Sequence, residues 1–232
     1  MLDLPESTLY GRRIPKQKFY ENLSVTPQLK RVFIEQIDQV LWRNKIAPDT
    51  VNIAPGHDVT EIEVFEIRLN QLSLSQNNQD NIMSKDKDKK KNLLSLLQLI
   101  DQEIPYHILF LLIWDDEVQA WMGYKEENKT KGDACKAVTY YNTEWMPFDE
   151  LTLRLEGLNM DAVYEGFLRQ IAGEQLEGDR NIKDAVNDDE RRKKLDKEIA
   201  ALEKKVQREK QFNAQVTLNS ELKVLREELR KL

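Results

Sequence analysis

Acidic residues and a cation on one predicted strand could hold a metal ion. Glu63, Glu66 and Arg68 fall within Ile62–Leu69, whose β-branched and aromatic residues predict a strand. Carboxylates suit Mg²⁺, which prefers hard oxygen ligands and keeps open positions for phosphodiester cleavage. Asp58 is the nearby candidate for a further acid. Glu63, however, points to the face opposite Glu66, and Arg68 stands where such sites usually have lysine. We therefore favour a structural ion pair between Glu66 and Arg68.

A cluster of cations near the start of the chain could contact phosphate. Arg12, Arg13, Lys16 and Lys18 lie in a segment that also holds glycine and proline, which predicts a loop. Such cations bind phosphate groups without reading a base sequence. The same residues could equally lie against the acidic remainder of the chain or against an acidic protein partner. We favour these protein contacts over nucleic acid.

The other chemically active residue types give no specific signal. Three consecutive acids at 115–117 are typical of a solvated turn, and Cys135 has the small neighbours of a packing residue. His57 and His107 are the two histidines, and neither has a catalytic partner near it in sequence. With two histidines and one cysteine, the chain has too few of the usual ligands for most zinc sites, and a serine or cysteine triad is disfavoured. We expect no cofactor, except Mg²⁺ if the chain is a nuclease.

Length and composition limit the class of protein. The chain has 232 residues and a formal net charge of −6, which allows one ordinary domain and an appendage. No apolar run approaches the length of a membrane span, and residues 1–6 do not begin a secretory signal. One cysteine cannot form an internal disulfide. We expect a cytoplasmic protein with no membrane contact.

The order of helical and strand patterns predicts an α/β (α+β) fold, with a mixed sheet of about four strands packed with helices. A helix begins at Thr26-Pro27 and carries an apolar stripe as far as Leu41. A later helix is capped by Asn159 and closed by Gly173. The remaining predicted elements are the strands at 62–69, 108–114, 118–125 and 136–145 and the helix at 93–103.

Two segments depart from this globular pattern. Residues 73–92 are polar and low in complexity, which predicts a flexible loop. Beyond Gly178 the chain has neither glycine nor proline and carries a charge of about +3, against about −9 for the rest. We therefore predict a globular domain at 1–178 and a charged helical tail at 179–232.

The tail carries two leucine-rich sets with the spacing of a coiled-coil seam. The spacing between the two sets does not fit one heptad register. Either one long helix shifts its seam, or a turn within residues 211–220 makes a helical hairpin. The predicted partner-binding seam consists of Leu195, Ile199, Leu202, Val206, Leu218, Leu222, Leu225 and Leu229.

Several motifs resemble a bacterial and archaeal family whose domain has no known function. Members of that family tend to be encoded beside DEAD/DEAH-type helicases and DNA methyltransferases, in loci similar to restriction or phage-defence systems. The resemblance implies a nucleic-acid-processing setting but no catalytic residues. The motifs are LPESTLYGRRIPK (4–16), VFEI (64–67), IPYHILF (104–110), YNTEW (141–145), AVYEGF (162–167) and EKQFNAQVTLN (209–219).

Three functions are compatible with these observations. The first is a non-catalytic accessory or adaptor subunit that binds a helicase or methyltransferase partner, with any nucleic-acid contact indirect. The second is a divergent metal-dependent nuclease centred on Glu66, with Asp58 and Arg68. The third is a structural protein that forms homodimers through its tail.

Overall fold

The computed structural model describes residues 2–22, 26–70, 87–125, 137–178 and 180–232. Its internal contacts divide the chain into two compact units, Met1–Gly173 and Glu174–Leu232. This division lies close to the boundary expected after Gly178. Each unit is described by itself below.

The first unit is built on one mixed sheet. Its order is β1-β2-β3-β4-β5-β6, with β7 pairing β5. Strands β3 and β4 are parallel, and the other pairs are antiparallel. The mixed α/β class is therefore confirmed, but the described sheet has seven strands rather than about four. The strands are β1 (Leu9–Ile14), β2 (Ile37–Ile46), β3 (Ile62–Leu69), β4 (His107–Trp114), β5 (Glu117–Lys125), β6 (Ala137–Asn142) and β7 (Met146–Pro147).

Helices of the first unit begin and end largely where capping residues predict. The Thr26 side chain accepts a hydrogen bond from the N–H of Leu29, and Asn159 accepts one from Ala162. Gly173 ends the last helix with a φ of 56°. The helices are α1 (Lys16–Asn22), α2 (Pro27–Gln36), α3 (Pro48–Val51), α4 (Lys87–Glu103) and α5 (Met160–Ala172).

The core lies on both faces of the sheet. After His107, strand β4 is apolar and is buried on both sides as far as Ile113, as its sequence predicts. On one face, Phe65 and Phe110 pack with Phe33 of α2 and Leu97 of α4. Helix α5 packs against β5 and β6. Most side chains of β3, including Glu63 and Glu66, are thus enclosed between two layers.

The predicted helix through Leu41 is wrong beyond Gln36. The chain leaves α2 at Ile37 in an extended conformation and continues as β2. Ile37, Val40 and Leu41 satisfy helical spacing, but they also suit a strand that pairs on both sides. Strand β2 hydrogen-bonds to β1 and to β3, and these long-range partners decide its conformation.

The predicted loop at 10–18 is also wrong. It forms the edge strand β1 and the first turn of α1. Gly11 has a φ of 62° at an irregularity in the β1–β2 register, where glycine is tolerated without strain. Pro15 immediately precedes α1, and its carbonyl accepts the N–H of Lys18. Glycine and proline therefore mark a bulge and a helix start here.

Two smaller corrections concern the middle of the chain. Helix α4 already begins at Lys87, so the end of the predicted flexible loop at 73–92 is helical; the part at 73–86 lies outside the described residues. The predicted strand at 136–145 becomes β6 and the short β7, and residue 136 is not described. Strands β4 and β5 pair antiparallel across the turn predicted at 115–117, where Asp115 has a φ of 54°.

The second unit is a helical hairpin. Helices α6 (Ile182–Arg208) and α7 (Phe212–Leu229) pack together and are separated by residues 209–211. Arg191 pairs with Glu228, and Gln215 donates to the Val206 carbonyl, so the helices run antiparallel. This arrangement selects the hairpin over one long helix, with a turn at 209–211 that includes only the first residue of the predicted window. Among the described residues, no helix is long and apolar enough to cross a membrane.

Candidate functional site

A cleft of about 290 Å³ opens over the β1–β3 part of the sheet, and we call it the Glu63 cleft. It is bounded by α1 on one side and by the C-terminal end of α4 on the other. Polar groups reach it from Lys18, Glu63, Glu103 and Tyr106. Its apolar wall consists of Ile14, Phe19, Trp42, Phe65, Ile100 and Ile104.

Glu63 is the buried polar residue of this cleft. Its side chain is 1% exposed, and its Oε2 accepts a hydrogen bond of 2.6 Å from Trp42 Nε1. Its Oε1 accepts no N–H donor among the described residues, and the Glu61 carboxyl lies within hydrogen-bonding reach of the Glu63 carboxyl. Burial raises the pKa of the Glu63 carboxyl to about 7, against the opposing effect of the Trp42 hydrogen bond. Glu63 is therefore a carboxyl group that can change its charge near neutral pH.

The strands fix the position of Glu63. It shares a sheet face with Phe65, which is directly opposite Trp42 in the β2–β3 register. Trp42 in turn packs against Tyr10, with ring centroids 4.3 Å apart. Lys45 lies nearby, but its Nζ pairs with Glu61 at 3.0 Å, and this hydrogen bond raises the pKa of Lys45. The indole of Trp42 is therefore the group that holds the Glu63 carboxylate in place.

A second buried polar network ties α4 to β5 and β6. Lys125 and Asp101 form an ion pair at 2.8 Å with both side chains 2% exposed. The Tyr140 hydroxyl donates to Asp101 Oδ2 at 2.5 Å, and Lys125 also donates to the Tyr106 carbonyl. Burial raises the pKa of Asp101 despite the nearby lysine. These contacts pair the buried charges with each other, which is typical of a structural network.

His107 lies at the start of β4 and is buried against Tyr164. The ring centroids are 4.4 Å apart. Burial lowers the pKa of His107 to about 4, with a further contribution from Lys125. His107 is therefore neutral at physiological pH. The other histidine, His57, is exposed and contacts Asp58.

The carboxylate of Glu66, the centre of the nuclease hypothesis, forms ion pairs with two arginines. Its Oε2 lies 2.8 Å from Arg43 and its Oε1 lies 2.9 Å from Arg68. Asp58 belongs to a separate loop before β3, where it contacts His57. In the part of the chain that is described, no group of three or more His, Cys, Asp or Glu could hold a metal ion. The structure therefore contains the expected ion pair and leaves both Glu66 oxygens engaged.

Comparison with known proteins assigns a family. The sequence model of DUF4391, described as a domain of unknown function, matches residues 2–229. The chain belongs to the DUF4391 family. A search of curated proteins found no match, and neither did a search of solved structures.

The basic segment of this DUF4391 chain lies along the sheet edge and the start of α1. Arg12 and Arg13 are exposed on β1, and Arg12 is opposite Trp42 in the register. Lys16 donates to the Ile37 carbonyl. Lys18 is exposed beside the Glu63 cleft. These cations are thus spread over an edge, and their contact with phosphate stays a prediction.

The predicted seam of the DUF4391 tail lies inside the hairpin. Leu195, Ile199 and Leu222 are buried, and the other five members are half-buried. A different row of apolar residues is exposed on α7: Phe212, Val216 and Val224 are 76%, 49% and 63% exposed. Sequence reasoning concentrated on the leucines and missed this row. Cys135 lies outside the described residues.

Proposed function

We propose that this chain is a cytoplasmic accessory subunit that binds a protein partner through its C-terminal hairpin. The observation that supports this proposal is the exposed row of Phe212, Val216 and Val224 on α7. By helical periodicity the three residues span about 120° of the surface of α7. Exposed apolar rows of this kind are typical of protein-binding surfaces.

The row is separate from the seam that holds the hairpin together. Leu218, Leu222 and Leu225 face the packed side of α7, roughly opposite Val216 and Val224 by helical periodicity. A partner can therefore cover the row without opening the hairpin. Residues 179–232 carry a net charge of about +3, which favours an acidic surface around the apolar patch of the partner.

The partner we propose is a helicase or DNA methyltransferase of a restriction or phage-defence system. This choice rests on the family resemblance of the motifs described above. Contact with nucleic acid is then made mainly by the partner. The engagement of both Glu66 oxygens by arginines favours this role over the nuclease alternative.

The adaptor proposal is tested with a charge-altered row. The tagged full chain is expressed in its native host beside Val216→Asp/Val224→Asp, and co-purified proteins are identified by mass spectrometry. Thr217→Asp/Asn219→Asp adds the same charge to exposed positions of the same helix and is the matched control. We expect a helicase or methyltransferase to co-purify with the native chain and with the control. The amount that co-purifies with the row variant should be at least tenfold lower.

Binding of the identified partner is then repeated with purified proteins. Equal binding by the native chain and the row variant would contradict the proposal. The nuclease alternative has its own test: Mg²⁺- or Mn²⁺-dependent cleavage by the purified chain, abolished in Glu66→Ala, would replace the adaptor role.

A further inference from the structure

The Glu63 cleft has the composition of a small-molecule binding site. We propose that it binds a small apolar amine whose ring lies against the aromatic wall and whose nitrogen donates to the buried Glu63 carboxylate. This site is independent of the hairpin surface used in the adaptor proposal.

The apolar wall selects a ring or a compact aliphatic group. Trp42, Phe65 and Phe19 contribute aromatic surface, and isoleucines of β1 and α4 complete the wall. The volume of about 290 Å³ lies at the small end of the range of about 300–1,000 Å³ that ligand pockets occupy. The cleft therefore fits a ligand of one ring.

The nitrogen of the ligand supplies what Glu63 lacks. Glu63 is 1% exposed, and its Oε1 accepts no N–H donor among the described residues. The neighbouring Glu61 carboxyl can share a proton with the Glu63 carboxyl but cannot donate to it when both are ionised. Buried acceptors are normally paired, since an unpaired one loses its contact with water without replacement. Trp42 holds the other oxygen at 2.6 Å, so the carboxylate is already oriented when a ligand enters.

The charges around the cleft favour a cation over an anion. The cleft is lined by two carboxyl groups, Glu63 and Glu103, and by one cation, Lys18. Glu61 adds a further carboxylate from the residues just before β3, and Lys45 of β2 is paired with it. A carboxylate ligand would meet this negative field, whereas a protonated amine would be attracted by it.

The same groups determine how binding depends on pH. The charges of Glu61 and Lys45 act on Glu63. Lys18, Glu103 and Tyr106 line the same cleft. Burial raises the pKa of Glu63 to about 7, so the free carboxyl is protonated in mildly acidic solution. A protonated amine binds the ionised form. Affinity is therefore expected to fall about tenfold per pH unit below this value and to level off above it.

The test uses benzylamine as the probe of the full chain. Binding is followed by calorimetry and by the indole N–H resonances in ¹H–¹⁵N spectra, with the Trp42 resonance assigned from Trp42→Phe. We expect the Trp42 signal to shift and benzylamine to bind more tightly than benzyl alcohol, with no binding of benzoate. Glu63→Gln should weaken benzylamine binding about tenfold or more at pH 8, because a charge-assisted hydrogen bond is lost.

Glu150→Gln is the matched control, since it makes the same change at an exposed position outside the cleft. It should bind benzylamine nearly as well as the native chain. Equal affinity for benzylamine and benzyl alcohol, or an affinity of the native chain that is flat from pH 5 to pH 8, would overturn the proposal. The pH profile uses the unaltered protein, so it decides the matter independently of the variants.

Discussion

Two buried glutamates three residues apart on β3 have different partners for their carboxylates. Glu66 is 4% exposed, and its charge is met by the guanidinium groups of Arg43 and Arg68. Glu63 is 1% exposed on the other face, where the indole of Trp42 is its hydrogen-bond donor. A neutral donor compensates for lost hydration less well than a cation does. Burial with this weaker compensation, together with the negative charge of the nearby Glu61, raises the pKa of Glu63 to about 7.

The raised pKa of Glu63 predicts a pH-dependent stability. The unfolded chain ionises this group near 4.5, whereas the folded chain retains the proton to about pH 7. The free energy of unfolding should therefore fall as the pH rises between these values, by about 3 kcal/mol from this group. Glu63→Gln removes this contribution and should be more stable than the native chain at pH 8.

Urea denaturation at several pH values measures this effect. The advantage of Glu63→Gln should shrink steadily as the pH is lowered towards 4.5. Glu103→Gln, at an exposed position, should follow the native chain throughout. A Glu63→Gln profile parallel to that of the native chain would show that Glu63 ionises normally in the fold.

At the scale of elements, one carboxylate attaches a loop to a helix. Asp161, in the first turn of α5, accepts hydrogen bonds from the backbone N–H groups of His57, Asp58 and Val59. Burial alone would raise the pKa of Asp161, but the hydrogen bonds from this backbone outweigh it and lower the pKa. The loop passes close to the helix because Gly56 has no side chain.

Gly56→Ala should destabilise the protein by about 1–3 kcal/mol. A Cβ at this position would clash with Asp161 Oδ1 and lie 2.6 Å from the Val59 carbonyl oxygen, so the hydrogen bonds must shift. Thermal or urea unfolding measures the loss. Gly166→Ala is the control, because this glycine is inside α5 and its nearest contact would be 3.3 Å; little change or a slight gain is expected. Equal effects of the two changes would contradict the close approach.

The ion pair between α4 and β5 gives a second prediction for elements. Lys125→Met should cost about 3–5 kcal/mol, because it leaves the Asp101 carboxylate buried without its cation. Tyr140→Phe should cost about 1 kcal/mol through the loss of one hydrogen bond. Arg226→Met breaks the exposed pair with Glu203 and should cost less than about 1 kcal/mol. Denaturant unfolding measures these losses in the free energy of unfolding. Equal losses for Lys125→Met and Arg226→Met would contradict the prediction that the buried α4–β5 pair contributes more than an exposed one.

At the scale of the whole molecule, the net charge of −6 combines two different parts. The chain before residue 179 carries about −9 and the remainder about +3. The hairpin buries its own leucine seam, so the feature that predicts self-association in the sequence is used within one chain. What the hairpin leaves exposed is the smaller row at Phe212, Val216 and Val224.

We therefore expect the full chain to sediment as a monomer at micromolar concentration. Analytical ultracentrifugation of the full chain and of a version ending at Gly178 measures this directly. A dimer formed by the full chain but not by the shorter version would favour the homodimer alternative. The variant Val216→Asp/Val224→Asp would then show whether the exposed row is the contact.

Local signals in the sequence were sufficient for several elements. The bounds of β3 follow from its β-branched composition, and β4 follows from an apolar run that suits burial on both faces. Helix α5 follows from Asn159 and Gly173, since its capping groups lie within the segment itself. These predictions succeeded because the interactions that decide them are short-range.

The sequence by itself determined the fold class, these elements and a helical tail with apolar seams. Only the tertiary structure decided that residues after Gln36 form a strand, because β1 and β3 supply the hydrogen-bond partners. It alone decided that the tail is a hairpin, because no breaker marks the turn. It also decided which buried acid has a cation, since Arg43 and Trp42 lie far from β3 in sequence. Packing across the sheet therefore created the Glu63 cleft, which residue spacing could not predict.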